Sequence, residues 1–398
     1  MSGTSYSFAG FTIDTGLREL RQGGRTISIE PSVFDLLVHL IANRQRVVSR
    51  DELLESVWHG RFVSDSTIAG RINAARQAVA DSGKQQQIIR TYAKNGFRFV
   101  AEVTVSEARS GPATSTTKSP KPVVSFIKAR DGTSLATTVV GSGPVLVRAA
   151  HWYNHIEAEW ESPLTAPLLH ELAGRFRLVL YDGRGAGLSD RDVKDMSFAN
   201  YVRDLTDVVD ALELERFALL GMSGGAASAI AFTSAHPKRV TCLALHGGYA
   251  EGRNERSSSQ TEAEAQAFLT MIRSAWNKLD APFWRAFCSF FLPNATPEQL
   301  RLFSDLHSKA LSLQSGIKAR MAVDAINVRP LLNQVRVPTM VSHSINDQLV
   351  PFEQGRLLAR TIPNAAFVPL ESENHLPVFE GDAGKIWCSE LVSFLSRQ

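Results

Sequence analysis

The chain has 398 residues, more than a single hydrophobic core usually serves, so at least two domains are expected. With 44% hydrophobic and 21% charged residues, and no apolar run near the ~18 residues that cross a bilayer, the composition excludes membrane-spanning and collagen-like proteins. The net charge of +3 is unevenly spread: residues 1–103 carry 13 Lys and Arg against 10 Asp and Glu, and residues 123–398 carry 27 against 29.

The start of the chain and its cysteines indicate the compartment. The first residues, MSGTSYSFAG, lack the basic and then apolar pattern of a secretory signal. Cys242, Cys288 and Cys388 are too few and too scattered for a disulfide framework or a metal site. We therefore expect a cytoplasmic protein with neither a metal nor a cofactor.

The first hundred residues predict short strands followed by three helices. Strand-like runs lie between residues 11 and 29, and Pro31 suits the first turn of a helix with an apolar stripe. Ser49 and Glu52 form a capping-box pattern that opens a second helix. A third helix is predicted from Asp65 or Ser66.

The third helix and the hairpin after it carry the candidate nucleic-acid contacts. One helix face is apolar, and the opposite face is small or amide-bearing and flanked by arginines. The Asn95-Gly96 pair predicts a tight turn in IIRTYAKNGFRFV, a hairpin with a basic face. The residues expected to reach DNA are Arg71, Asn73, Arg76, Gln77, Arg90, Lys94 and Arg98.

Together these elements resemble the winged-helix DNA-binding domain of OmpR-type regulators, which ToxR-like and CadC-like proteins also contain. The resemblance covers residues 8–103 and rests on VVSRDELLESVW, STIAGRINAARQAV and IIRTYAKNGFRFV. It implies that the third helix enters the major groove of DNA while the hairpin touches the adjacent backbone. It also implies RNA polymerase and a second copy of the chain as partners. The alternative is that the basic residues are ordinary solvated surface charges.

A Ser-, Thr- and Pro-rich stretch, VTVSEARSGPATSTTKSPKP, divides the chain. We predict a winged-helix domain over residues 1–104, a flexible linker over 105–122 and a second domain over 123–398. In the second domain, apolar runs alternate with helical stretches, a pattern that predicts a mainly parallel sheet covered on both faces.

A Gly-rich turn in the second domain predicts a nucleophile. Between a strand and a helix stands G-M-S-G-G, where small neighbours let the chain bend sharply and lift the Ser223 hydroxyl above the sheet. A nucleophilic serine needs a base and an orienting carboxylate. Asp347 and His375 follow in that order, each after a predicted strand, where α/β sheets gather their sites.

These features resemble the α/β-hydrolase fold, as does the turn YDGRGAGLSD, whose glycines lack dinucleotide-binding spacing. The resemblance implies a Ser223, His375, Asp347 triad and an oxyanion hole made by the N–H groups of Trp152 and Gly224. His151 departs from the glycine usual before Trp152 and is expected to narrow that site. A serine nucleophile argues against epoxide hydrolase and haloalkane dehalogenase chemistry, for which the family uses Asp.

Residues 251–332 are expected to form a helical cap rich in large apolar side chains. Most should pack as core, and the rest should line an apolar pocket over Ser223 suited to an acyl chain or an aromatic ring. The polar stretch HWYNHIEAEWESP allows a metal site, but a polar loop beside the pocket explains it as well.

The sequence thus favours a DNA-binding transcriptional regulator whose hydrolase-like domain senses, with or without hydrolysis, a small ester, lactone or similar carbonyl compound. One alternative is a serine esterase or lactonase with an accessory DNA-binding domain. Another is a catalytically silent hydrolase fold used for ligand binding or dimerisation.

Overall fold

The computed structural model describes residues 4–15, 19–23, 25–27, 29–58, 65–92, 95–107, 121–256, 259–276, 278, 281–379 and 381–397. The chain separates into two compact units, residues 1–116 and 117–398. Within the described ranges, no helix is long and apolar enough to cross a membrane.

The first unit combines an antiparallel sheet, three helices and a hairpin. Its elements are β1 (Thr4–Phe8), β2 (Phe11–Asp14), β3 (Glu19–Gln22), β4 (Arg25–Ile27), α1 (Pro31–Ala42), α2 (Arg50–Trp58), α3 (Asp65–Ala78), β5 (Ile89–Tyr92), β6 (Gly96–Phe99) and β7 (Thr104–Glu107). The five-stranded sheet has the order β4-β3-β2-β1-β7, and β5 pairs with β6. The helices and the hairpin lie where the sequence predicts them.

The core of this unit fixes the hairpin against the helices. Ile68 and Ile72 of α3, and Val79 directly after it, are almost completely buried, as their helical spacing predicts. Phe97 exchanges backbone hydrogen bonds with Val48, which precedes α2. At Gly96, φ is +127°, and a Cβ would lie 2.0 Å from the Val48 carbonyl oxygen, so only glycine fits.

The domain boundary lies later in the chain than predicted. Strand β7 pairs antiparallel with β1, from Thr104 opposite Ser7 to Glu107 opposite Thr4. Residues 105–107 therefore belong to the first sheet and not to the linker, because backbone pairing with a distant strand orders them. Residues 108–120 of the predicted linker lie outside the described residues.

The second unit is an eight-stranded sheet with helices. Its elements are β8 (Ser125–Lys128), β9 (Ser134–Val140), β10 (Val145–Arg148), α4 (Ile156–Glu161), α5 (Ala166–Ala173), β11 (Arg177–Tyr181), α6 (Phe198–Ala211), β12 (Phe217–Met222), α7 (Gly224–Ala235), β13 (Val240–His246), α8 (Ser259–Ala275), α9 (Pro282–Phe291), α10 (Pro297–Ala310), α11 (Leu313–Asp324), β14 (Thr339–Ser344), α12 (Phe352–Thr361), β15 (Ala365–Leu370) and α13 (Asp382–Ser396).

The strand order β15-β14-β13-β12-β10-β11-β9-β8 places β12 near the middle of the sheet. The six strands from β10 to β15 pair in parallel, whereas β8 and β9 form an antiparallel edge. The apolar runs of the sequence coincide with these six parallel strands. The loops after β12, β14 and β15 carry Ser223, Asp347 and His375 at the same end of the sheet.

Between β13 and β14 the chain forms the predicted cap. Its described residues include α8 to α11 and short 3₁₀ turns at Arg253–Glu255 and Arg329–Gln334. Trp284, Phe287, Phe291 and Phe303 are buried in the core between cap and sheet, whereas Phe283 and Met321 are exposed.

Candidate functional site

Ser223 stands at a sharp turn between β12 and α7. Its backbone has φ +50° and ψ −126°, a conformation that non-glycine residues rarely adopt and that is typical of strained functional positions. Its N–H donates to the His246 carbonyl oxygen at 2.9 Å. A Cβ at Gly221 would lie 2.6 Å from Ala226 Cα, and one at Gly225 would lie 2.9 Å from the Ala149 carbonyl oxygen. The motif glycines thus let the chain fold back on itself at this turn.

Asp347 and His375 form a buried pair. His375 Nδ1 lies 2.7 Å from Asp347 Oδ2, and neither side chain is more than 1% exposed. Asp347 Oδ1 accepts hydrogen bonds from the N–H groups of Leu349 at 2.8 Å and Val350 at 2.9 Å. Burial alone would raise the pKa of Asp347, but His375 and these donors lower it below its usual value. The carboxylate is therefore charged near neutral pH and orients the imidazole.

The His375 ring is held from several sides. Its backbone N–H donates to the Phe291 carbonyl oxygen at 2.9 Å, and the Phe291 ring meets the imidazole edge-on at 5.9 Å between centroids. Gly247 has φ +57°, and a Cβ there would lie 2.9 Å from His375 Cε1. With Nδ1–H donated to Asp347, Nε2 is the basic nitrogen. Among the described residues, Ser223 Oγ makes no hydrogen bond to His375.

The cavity beside Ser223 is lined by arginines. Trp152 and Ser223 lie on its wall with Arg253, Arg256 and Arg320, and the apolar side chains on the same wall are Tyr249, Val323, Leu349 and Val350. The apolar pocket expected over Ser223 is therefore present only in part, because apolar and charged side chains share this wall. Most large apolar side chains of the cap pack in the core. The guanidinium groups at the cavity come from the 3₁₀ turn at Arg253–Glu255, from Arg256 directly after it and from Arg320 of helix α11.

A second cavity is mainly apolar. Met222 and Leu376, the sequence neighbours of Ser223 and His375, line it together with His151. The His151 side chain does not line the Ser223 cavity. It turns toward Glu159, with Nε2 3.7 Å from Oε1, and burial lowers the His151 pKa.

Glu159 forms a buried ion pair at the wall of this apolar cavity. Arg148 donates to both of its carboxylate oxygens, at 3.0 and 2.7 Å. Glu159 and His151 belong to the polar stretch that allowed a metal site, and in the structure Glu159 is paired with Arg148 and lies beside His151. In the described residues, no group of three His, Cys, Asp or Glu side chains is placed to hold a metal ion.

The structure corrects the expectation that Arg76 contacts DNA. Its side chain is only 5% exposed, Nε and Nη2 donate to the Ile89 carbonyl oxygen at 3.1 and 2.8 Å, and Nη2 also reaches Thr91 Oγ1 at 2.8 Å. The guanidinium faces the hairpin strand β5 because that strand packs directly against α3. Arg76 thus joins the third helix to the hairpin inside the domain.

The other predicted DNA contacts have differing environments. Asn73 and Gln77 are exposed on α3, and Arg90 is exposed on β5. Arg71 is paired with Glu30, and Arg98 Nε donates to the Arg44 carbonyl oxygen at 2.9 Å. Lys94 lies outside the described residues.

Comparison with known families agrees with both parts of this architecture. The model described as "alpha/beta hydrolase fold" matches residues 150–382, more than half of the chain. The chain belongs to the α/β-hydrolase fold family. Residues 24–99 match the family described as "Transcriptional regulatory protein, C terminal". The two matches confirm that a regulatory DNA-binding domain is fused to an α/β-hydrolase domain, and DNA is the partner that the first domain implies.

Similar proteins cover the α/β-hydrolase domain. The AB hydrolase superfamily protein YisY of Bacillus subtilis (strain 168) is 28% identical over 260 residues, which are 64% of this chain and 93% of YisY. Strigolactone esterase D14 of Arabidopsis thaliana is 26% identical over 66% of this chain and 96% of its own length. The structure of an esterase, EaEST from Exiguobacterium antarcticum, superposes with a TM-score of 0.60 and 25% identity, covering 69% of this chain and all of that one.

Sequence reasoning missed the arginines of the Ser223 cavity. Arg253 and Arg256 stand in EGRNER, in the loop that follows β13 after four further residues, and the loops at strand ends are where α/β sheets gather their sites. Arg320 forms an i, i+4 pair with Asp324 on α11, which reads in the sequence as an ordinary surface helix pair.

Proposed function

We propose that this chain is a cytoplasmic, DNA-binding transcriptional regulator whose α/β-hydrolase domain senses a small ester, lactone or similar carbonyl compound and hydrolyses it at Ser223. The observation that carries the proposal is Ser223 at positive φ on the turn after β12, at the sheet end that also holds the 2.7 Å His375–Asp347 pair. The names of the similar proteins, two of which are esterases, support ester chemistry.

In the proposed reaction, His375 Nε2 takes the proton of Ser223 as Oγ attacks the carbonyl carbon. The N–H groups of Gly224 and Trp152 stabilise the oxyanion. Collapse of the tetrahedral intermediate expels the alcohol, which receives the proton from His375 and leaves an acyl-serine. Water attacks this acyl group, again with His375 as base, and releases the acid and free Ser223. Asp347 keeps the imidazole oriented and stabilises its charged form.

We expect Ser223 Oγ and His375 Nε2 to come within hydrogen-bond distance when the ligand is bound. Catalytic hydrogen bonds in free enzymes are often long and shorten only when substrate is present. Ser223 is only 8% exposed, so a ligand bound at its hydroxyl would be largely enclosed by the protein there.

The DNA-binding part of the proposal rests on the match of residues 24–99 and on the exposed face of α3. Asn73 and Gln77 would face base edges, and Arg71, Arg90 and Arg98 would neutralise phosphates. RNA polymerase and a second copy of the chain, bound to a repeated half-site, complete the proposed complex.

The decisive experiment compares Ser223→Ala with Ser234→Ala, whose serine lies on α7, the helix that follows Ser223, and donates to Gln334 at the surface. We expect a fluorophosphonate probe to label wild type and Ser234→Ala but not Ser223→Ala, and 4-nitrophenyl esters to be cleaved by the same two proteins only. Equal hydrolysis by Ser223→Ala would contradict the catalytic assignment.

A reporter placed behind a promoter that the chain occupies in cells then separates regulator from enzyme. If Ser223→Ala changes the ligand response of the reporter, the chemistry is part of sensing. If regulation by the ligand persists unchanged while hydrolysis is lost, the domain senses by binding alone. If no promoter responds although hydrolysis is intact, the alternative of a serine hydrolase with an accessory DNA-binding domain is correct.

A further inference from the structure

Among the described residues that line the Ser223 cavity, positively charged side chains outnumber carboxylates. Three guanidinium groups line it, those of Arg253, Arg256 and Arg320, and the carboxylate on the same wall is Asp324. Arg253 and Arg320 are 5% and 4% exposed. Burying a charge is costly unless it is paired and hydrogen-bonded, so a surplus of cations at a cavity points to an anionic ligand.

Asp324 is already engaged by Arg320. The Arg320 guanidinium donates to both carboxylate oxygens, through Nε at 2.8 Å and through Nη2. Arg253 approaches the same carboxylate only at 3.5 Å. Helix α11 therefore carries its own neutral pair, and the remaining cations come from the turn at Arg253–Glu255 and from Arg256.

Arg253 has donor capacity that its described neighbours do not use. Its Nη2 donates to the Leu349 carbonyl oxygen at 2.8 Å, whereas its Nε is buried without a hydrogen-bond partner in the part of the chain that the structure describes. Glu264, a half-exposed carboxylate, comes no closer to this nitrogen than 4.0 Å. Burial and the neighbouring Arg320 lower the pKa of Arg253 to about 10, and Asp324 offsets this lowering only in part.

Arg256 also offers free donors. Its Nε donates to the Glu251 carbonyl oxygen at 2.8 Å, and its terminal nitrogens make no hydrogen bond to another described residue. The fold fixes this position, since Gly252 passes so close to α11 that a Cβ would lie 2.3 Å from the Asp324 carbonyl oxygen. Close packing thus fixes the turn against α11, and Arg253 and Arg256 line the cavity that contains Ser223.

We propose that Arg253 and Arg256 bind a carboxylate of the ligand, so that the compound recognised at Ser223 is a carboxylate-bearing ester, lactone or related carbonyl compound. A planar guanidinium pairs with a carboxylate through charge-assisted hydrogen bonds of fixed geometry. The carbonyl to be attacked would lie at Ser223, and the apolar cavity next to Met222 accepts the uncharged remainder. This inference rests on the proposed function, because it names the ligand class of the same site.

A matched pair of substrates tests it in the full-length protein. The 4-nitrophenyl monoester of glutaric acid carries a free carboxylate, and 4-nitrophenyl 5-methylhexanoate replaces that carboxylate by an isopropyl group of similar shape. We expect wild type to show at least about tenfold higher kcat/KM for the charged ester. Equal values, or a preference for the neutral ester, would overturn the inference.

Two variants and a control locate the effect. Arg256→Gln, at a half-buried position, and Arg253→Gln should each bring the ratio of the two kcat/KM values toward one. Arg285→Gln, an exposed arginine of cap helix α9, should leave both values unchanged. If kcat/KM falls by the same factor for both esters in the Arg253 and Arg256 variants, these arginines have a structural role, and that result would contradict carboxylate binding.

Calorimetry distinguishes failure of the catalytic proposal from failure of the carboxylate-binding proposal. If wild type cleaves neither ester, the catalytic proposal is wrong, and the binding of the two esters to intact protein is compared instead. Tighter binding of the charged ester that weakens in Arg256→Gln supports the anionic site even then. Binding of neither ester, or of both equally, would overturn it.

Discussion

The two domains both bury arginine, and they differ in what the guanidinium groups meet. In the winged helix, Nε and Nη2 of Arg76 are bonded to Ile89 and Thr91, so the charge serves to hold the domain together. In the α/β-hydrolase domain, Arg253 has a buried Nε with no hydrogen-bond partner among the described residues, and its side chain lines the cavity that contains Ser223. A buried arginine with its donors satisfied indicates structure, and one with donors to spare indicates a ligand.

The largest effect is expected at Asp347, where the buried charge orients a base. Asp347→Asn should lower kcat for ester hydrolysis by about 10³–10⁴-fold, because the amide no longer holds His375 in the reactive tautomer. Asp305→Asn, an exposed carboxylate of α10, is the matched control and should be neutral. Steady-state kinetics with a 4-nitrophenyl ester measure both. A decrease below tenfold in Asp347→Asn would show that the His375–Asp347 pair is structural.

The next largest effect concerns Arg76. Arg76→Met should lower the free energy of unfolding of the first domain by about 2–4 kcal/mol, because the Ile89 carbonyl oxygen loses two donors in a buried setting. Amide hydrogen exchange over residues 88–99, followed by mass spectrometry in the full chain, should speed up by tenfold or more. Peptides from the α/β-hydrolase domain serve as an internal reference. Unchanged protection of the hairpin would show that Arg76 does not hold it.

These two residues also show how far the sequence could predict the molecule. Asp347 follows an apolar strand, and G-x-S-x-G, Asp and His stand in a fixed order along the chain, so local pattern sufficed to place them at one end of the sheet. Arg76 was misjudged because a helical wheel gives only the direction of a side chain on its own helix. Whether that direction meets solvent or strand β5 depends on packing between elements.

The same limit explains the cavity and the domain boundary. Arg253 and Arg320 are far apart in the sequence, and their meeting beside Ser223 depends on how the 3₁₀ turn is clamped against α11. Strand β7 lies in a stretch of ordinary linker composition, and its order comes from pairing with β1 at the opposite end of the domain. Long-range pairing of this kind leaves no periodic signal in a short segment.

The third prediction extends the comparison to buried histidines of the α/β-hydrolase domain. Burial lowers the pKa of His307 to about 3, against an ordinary value near 6.5, and His151 adds to the effect. Between these values the unfolded chain binds a proton that folded His307 does not, so stability falls as pH drops from 6.5 toward 3, by about 1.4 kcal/mol per pH unit for this group.

Replacing His307 by Gln should therefore flatten the pH dependence of the unfolding free energy by one proton in that window. Urea unfolding followed by tryptophan fluorescence reports mainly on the α/β-hydrolase domain, because five of the six tryptophans lie there. In the first domain, Arg46 and His39 lower the pKa of Glu52 to about 2, so the stability it contributes is complete above pH 4.3 and is lost progressively as pH falls to about 2. An unchanged slope in His307→Gln would mean that this imidazole is protonated in the folded protein.

The smallest effect is expected at the surface of the winged helix, where charges are exposed and screened. Arg90→Gln should weaken binding to a DNA duplex several-fold and reduce the slope of log K against log salt by about 0.9, the amount expected for one lost phosphate contact. Arg21→Gln, on strand β3 and paired with Glu19, should leave the slope unchanged. Fluorescence anisotropy over a salt series measures both variants.

Because Arg76 is buried, Arg76→Lys should lower the stability of the hairpin and leave unchanged the slope of log K against log salt for DNA binding by the folded protein. A reduced slope in Arg76→Lys with full hairpin protection would return Arg76 to the DNA-binding surface and remove the contrast between the two domains.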